Sequence, residues 1–177
     1  MMKFEKLNKI FTIQKGKKNN LVENPENDST RVIQIDDLRN DNFIKYTNDN
    51  KGLLVDEDDI LIAWDGVNVG TIGYGKKGYL GSTLAQLKII NSNKYHSTYL
   101  GLFLKIKSDY FKKNSTGATI PHIHRKSLES LLIPIPENLT DQIRIAEVLT
   151  KVETLIQKRK ESIDLLDDFL RSTFLDM

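Results

Sequence analysis

The stretch from Thr140 to Asp176 holds no Gly and no Pro. Its apolar residues Ile145, Leu149, Val152, Ile156, Ile163, Leu166 and Leu170 recur in alternating steps of four and three, with one place skipped at Arg159. That period describes a seam along one helix, and such a seam needs another helix to cover it. A helix of this length extends about 55 Å, longer than a domain of roughly 135 residues is wide. With Leu149, Ile156, Ile163 and Leu170 at a positions, the d places hold Ile145, Val152, Arg159 and Leu166. At e, Glu153, Lys160 and Asp167 alternate in sign, which favours an antiparallel copy of the same helix, where e meets e. Val148, Leu155 and Phe169 at g widen the apolar face for a further neighbour. Arg159 is costly in a dry seam, so it either fixes register or snorkels outward. The competing arrangement folds the helix back on its own domain, and its length argues against full coverage that way. Ile133-Pro134-Ile135-Pro136 refuses a helix just before it. The expected organisation is therefore a mixed domain at 1–137 and a pairing helix at 138–177.

Composition narrows the function classes. There is no cysteine, which removes disulfides, thiolate metal sites and Cys nucleophiles. No run approaches a membrane span and no apolar signal core opens the chain, so the expected location is the cytoplasm. Net charge is only +2, but it is distributed in blocks. Residues 1–20 carry six Lys against one Glu, 21–65 carry twelve acids against four bases, and 86–126 carry eight Lys or Arg against Asp109 alone. Two readings are open. If the basic blocks meet in the fold, they form the positive face expected of a nucleic-acid binder. Otherwise they are solvated loops on unrelated faces.

Along the chain, Phe4 to Ile13 reads as a short first element that runs into the basic turn Lys15-Gly16-Lys17-Lys18. Val32–Ile35, Ile60–Trp64 and Ala85–Ile90 read as strands, the second closed by the turn signal Asp65-Gly66. The glycine-rich run 66–81 reads as tight turns with short strands, Thr98–Phe111 as a helix, and 117–123 as extended chain. Ser127 is a candidate cap for a short helix before Leu131. The fold class is thus α+β: a β-rich domain followed by one long C-terminal helix in an antiparallel coiled coil between subunits.

Several motifs fail on context. Gly73-Tyr74-Gly75-Lys76-Lys77-Gly78 has G-x-G-x-x-G spacing, but the sequence after it reads as strand and turn, not as the helix that would hold a pyrophosphate. His122 and His124 flank Ile123 and lack a third metal ligand nearby. They read instead as polar groups beside Arg125 and Lys126, near a phosphate or a base edge. The acids Asp56 to Asp59 read as a solvated turn. Asp49-Asn50-Lys51 is a weak echo of a nuclease centre. No nucleophile elbow, P-loop or His-Glu-x-x-His helix is present, so the chain reads as a binder with no catalytic residue and no metal or cofactor of its own.

Three stretches together resemble the specificity subunits of type I restriction-modification systems. The first is Asp59 to Gly66 with Gly70 and Gly81-Ser82-Thr83-Leu84-Ala85. The second is Gly117-Ala118-Thr119-Ile120-Pro121-His122-Ile123 with Leu128 and Leu132 to Pro136. The third is Asp141-Gln142-Ile143-Arg144-Ile145-Ala146-Glu147-Val148-Leu149, where the family usually has Glu-Gln. The resemblance implies a target recognition domain that reads half of a bipartite site in double-stranded DNA, and a conserved spacer helix that sets the distance between halves. It also implies recruitment of methyltransferase and restriction subunits, which would carry S-adenosylmethionine, ATP and Mg chemistry. Family members usually have two recognition domains and two antiparallel helices, whereas this chain shows one of each. It looks like a half-length subunit whose seam finds a second copy in a two-fold homodimer.

DNA-reading residues do not transfer within so variable a region, so the candidates rest on charge and position. Lys15, Lys17, Lys18, Lys76, Lys77, Lys112 and Lys113 are candidates for phosphate, with Lys126 and His122 beside them. Asn19, Asn68, Gln86 and Arg125 are candidates for base edges. Ile145, Leu149, Val152, Ile156, Arg159, Ile163, Leu166 and Leu170 are candidates for the dimer seam. The rival function is a non-DNA adaptor that dimerises through its helix, and a further one is an enzyme that uses the Gly73 loop.

Overall fold

The computed structural model describes residues 2–175. Its centre is β6 (Ile60–Ala63), a strand buried on both faces. Alternation sends Ile60 and Ile62 into one apolar cluster and Leu61 and Ala63 into another. The sheet β2-β9-β6-β7 contains β2 (Phe11–Lys15), β9 (Leu84–Ile89) and β7 (Ile72–Gly73), all antiparallel. A second sheet, β4-β3-β8-β5, joins β4 (Lys45–Thr47), β3 (Thr30–Ile33), β8 (Gly78–Leu80) and β5 (Leu54–Val55), with β3 and β8 parallel. Leu61 and Ala63 of β6 and Leu84 of β9 form the smaller cluster with Ile33, Val55 and Leu80 from the second sheet. We expect Leu61→Ala to cost about 2–5 kcal/mol, the range for emptying a fully buried leucine site, with little change from Leu54→Ala on the exposed edge. Urea unfolding of the two variants measures the difference.

The larger cluster is closed by helices: α1 (Leu7–Ile10), α2 (Ser97–Ile106), α3 (Ser108–Lys113) and α4 (Arg125–Glu129). The helix expected over Thr98–Phe111 is broken at Lys107, whose ψ of 5° leaves the helical region. The break turns Phe111 into the core. Ser127 is not the cap of α4. It lies inside the helix, and its Oγ meets Nδ1 of His124, the residue at the N-cap, at 2.7 Å.

The N-terminal strand β1 (Met2–Lys6) pairs antiparallel with β10 (Leu132–Pro136), which closes the domain next to its start. Pro134 and Pro136 fit a strand that needs few donors. Their free carbonyls are taken elsewhere: Pro134 O accepts from the Tyr99 hydroxyl at 2.6 Å and Pro136 O from Gln142 at 3.3 Å. Helix α5 then runs from Leu139 to Leu175, 37 residues, one residue earlier in start than the sequence suggests. Asp176, the expected last helical residue, lies outside the described residues. No helix is long and apolar enough to cross a membrane among the described residues.

Candidate functional site

The loop after β6 is where the first two motif stretches meet. Trp64 and Asp65 donate their backbone N–H groups to Thr83 O at 2.8 and 3.2 Å. Gly66 N–H donates to Pro121 O at 2.8 Å, and Ile123 N–H to Trp64 O at 2.9 Å. Gly70, at φ +84°, lets the loop pass flush against α3, since a Cβ there would stand 2.7 Å from Cβ of Phe111. Gly117, at φ +100°, does the same for the segment after α3, in which Thr116 and His122 exchange backbone hydrogen bonds of 2.9 and 2.8 Å. From the other side, Lys15 at the end of β2 reaches Asp65 with Nζ–Oδ2 of 2.6 Å, and Lys17 N–H bonds Leu80 O.

These contacts bring Lys15, Lys17, Lys18 and His122 to the same end of the β2-β9-β6-β7 sheet, while Lys112 and Lys113 lie on α3 and Arg125 and Lys126 on α4. All eight side chains are exposed. Arg125 donates from Nε to Glu129 at 2.7 Å, a surface pair that leaves the guanidinium accessible. At the loop tips Val67 is 78% exposed and Ile120 62%. Neither stands out in the sequence, where an apolar residue in a loop carries no signal of its own.

Other candidates are drawn off this face. Lys76 is largely buried and pairs with Asp41 at 2.8 Å, and Asp41 also binds Arg31. Lys77 lies 3.7 Å from Asp56. The turn that carries both sits against the acidic block, with Gly75 N–H on Glu57 O, so the charge of Lys76 is answered internally while Lys77 stays exposed. No helix opens at Gly78, which begins β8, so the Gly73 loop links the two sheets and lacks a pyrophosphate-binding end. Asn19 is buried and donates to Lys51 O at 3.0 Å. Gln86 is buried and donates to Asp59 at 2.7 Å. Neither amide reaches a base edge from there, and both correct the sequence expectation: β9 is covered on both faces from Leu84 to Leu87, which buries Gln86, and the tie to Lys51 holds Asn19 inward. Asn68 is half-buried and accepts from Arg39 at 2.6 Å. Asp49 is bound by the Asn20 backbone N–H at 2.7 Å and its side chain, a loop tie in place of a nuclease carboxylate. Among the described residues no three His, Asp or Glu gather as a metal set.

The acid pairs have a pH signature. Hydrogen bonds from Lys76 and then Arg31 hold the Asp41 carboxyl below its ordinary range, and Lys94 and Tyr95 do the same for Glu5 on β1. A carboxyl depressed in the folded state stabilises it fully above its unfolded pKa of about 4, and that contribution is lost as pH falls through the lower folded value. We therefore expect stability to drop below about pH 4, and Glu5→Gln to flatten that limb by no more than ~1 kcal/mol because the pair is solvent-screened. Urea midpoints at neutral pH and at about pH 3 check it.

The root of α5 belongs to the domain. Ala146 is buried, and Ile145, expected in the dimer seam, packs half-buried against the larger cluster. Glu153, expected to meet its own copy at e, accepts from Lys105 at 2.9 Å. Burial, and then the charge of Glu153, push the neighbouring Tyr74 hydroxyl up to about 12. From Thr154 to Phe174 every side chain is exposed. Ile156, Ile163, Leu166 and Leu170 are among them, as is Arg159, while Leu149 and Val152 lie at the boundary with 36% and 45% exposure.

A family model described as the type I restriction modification DNA specificity domain matches residues 1–165. The chain belongs to the type I restriction-modification DNA specificity family. Residues of this specificity domain are 40% identical, over 126 positions, to the type I restriction enzyme MjaVIII specificity subunit of Methanocaldococcus jannaschii, a match that covers 71% of the chain and 28% of that relative. The fold is similar to the type I S subunit of M. genitalium (TM-score 0.66, 17% identity, 89% of this chain and 40% of that one). It is also similar to the HsdS subunit of Thermoanaerobacter tengcongensis (TM-score 0.66, 18% identity, 91% and 39%). The specificity domain thus spans under a third of its curated relative and about two fifths of the solved structures. The family match takes in both the Trp64 loop and the root of α5.

Proposed function

We propose that the chain is a DNA sequence-recognition unit: residues 1–137 read half of a bipartite site in double-stranded DNA, and residues 138–177 form the spacer helix. The observation that carries this is the exposure of Lys15, Lys17, Lys18 and His122 at the end of the sheet where the Trp64 loop meets the 116–123 segment, in a chain of the DNA specificity family. Lysines at that end neutralise phosphates and make binding salt-dependent, while Arg125 and the loop tips meet base edges. The apolar stripe of α5 beyond Thr154 pairs with an antiparallel second copy, which supplies the other recognition domain and a two-fold site. The remaining apolar face takes a methyltransferase subunit, and a restriction subunit joins that complex. The chain itself performs no catalysis, S-adenosylmethionine, ATP and Mg serve the partner subunits, and the complex acts in the cytoplasm on the cell's own DNA.

Gel shifts on random duplexes at two salt concentrations, with and without a methyltransferase partner, test the reading. Affinity that falls steeply with salt supports it. Salt-insensitive or absent binding in both settings leaves the adaptor reading in its place.

A further inference from the structure

Helix α5 is fixed to the domain at two polar points with an apolar contact between them. At the root Gln142 is fully buried. Its Oε1 accepts from the His96 backbone N–H at 3.0 Å, and its Nε2 donates to Lys94 O at 3.0 Å and Pro136 O at 3.3 Å. One amide thus commits both donor hydrogens and its acceptor to backbone groups on the loop that opens α2 and at the end of β10. Those groups are themselves held. Lys94 and Tyr95 donate to Glu5 on β1 at 2.7 Å each, and the Tyr99 hydroxyl ties α2 to β10. About three turns further on, and therefore on the same side of the helix, Glu153 takes the second point from Lys105 of α2. Ala146 is buried between the two. A rod held at one point swings, whereas a rod held at two points spaced ~16 Å apart has a defined angle.

We propose that Gln142 is a positioning residue that sets the angle of α5 on the recognition domain and, through it, the number of base pairs between half-sites. The spacing half of this rests on the DNA-recognition reading above. From Gln142 to its end the helix extends about 50 Å, so a tilt of ~10° at the root moves its far end by ~9 Å, between two and three base-pair rises of ~3.4 Å each. Slack too small to unfold the domain is large enough to change the spacer.

The chain has no cysteine, so two introduced ones take spin labels cleanly. Lys77→Cys on the β7–β8 turn and Asp164→Cys on α5 are both exposed. Diluted into excess unlabelled protein, the pair reports the distance within one chain by pulsed electron resonance. We expect a single narrow distance that broadens about twofold in Gln142→Met, which keeps the volume and removes the three hydrogen bonds. We expect selection from randomised duplexes, with the methyltransferase partner, to return the same half-site sequences but about two neighbouring spacer lengths where the parent returns one. A purely structural role would weaken all spacers equally. Should Gln142→Met fail to fold, Lys105→Met loosens the second point and carries the same expectation. An unchanged distance width in a folded variant overturns the proposal, as does a broadened width with an unchanged spacer. Parent protein that selects no DNA contradicts the recognition reading alone, and the label distances still decide the joint.

Discussion

Ile156→Asp with Ile163→Asp yields a folded monomer. Both residues lie beyond the point where α5 leaves its own domain and are 51% and 59% exposed, so neither supports the fold of a single chain. In an antiparallel pair each copy contributes both, and burying a large apolar side chain contributes about 1.5–3 kcal/mol. Replacing four of them by carboxylates raises the dimer dissociation constant by more than about a thousandfold. Light scattering across a concentration series measures it, with circular dichroism to show that helix and domain persist. Leu149 is a poorer choice for the test, because it sits next to Ala146 and Ile145, where the helix leaves the domain.

The second large effect is on DNA. On the proposed DNA reading we expect Lys17, Lys18 and Lys112 replaced by Ala to lower affinity by roughly 10–100-fold at physiological salt and to reduce the slope of log K against log salt by about one unit for each phosphate no longer neutralised. Lys76→Ala leaves that slope unchanged. Its side chain is held by Asp41 inside the acidic block, so the substitution lowers the stability of the fold and leaves DNA binding as it was. Charge alone does not distinguish Lys76 from the lysines of the basic face, so the difference in slope is a difference in placement. Fluorescence anisotropy at several salt concentrations separates them.

That difference also shows what the sequence could carry. The long helix was legible because an unbroken period of four and three over many turns has one structural meaning. Strand β6 was legible because a run of apolar residues closed by Asp65-Gly66 reads as a buried strand. The face on which a polar residue lands is a different matter. Gln86 and Asn19 have the chemistry of base readers, but the cover on both faces of β9 and the tie to Lys51 bury them. Lys76 reads as a free cation until the fold brings Asp41 beside it, thirty-five residues away in sequence. Such pairings depend on tertiary contacts that no local pattern encodes. The start of the seam shows the same limit: Ile145 and Glu153 obey the heptad, but within the chain Ile145 packs against the domain and Glu153 pairs with Lys105. Gln142 was visible as part of a family stretch, and its role as a buried joint emerged only with its three backbone partners.

The proposed reading of a DNA half-site by each chain, with a second copy met through α5, predicts one joint signature in a genome. It is read from a methylation map of a host in which this chain, and no other specificity subunit, is expressed with a cognate methyltransferase subunit. We expect methylation at a two-fold symmetric bipartite sequence, two identical half-sites in inverted orientation separated by a gap of fixed length, and its disappearance with Ile156→Asp and Ile163→Asp. Methylation at an asymmetric or continuous sequence, or a symmetric pattern that survives the monomeric variant, would contradict the two-copy recognition of DNA.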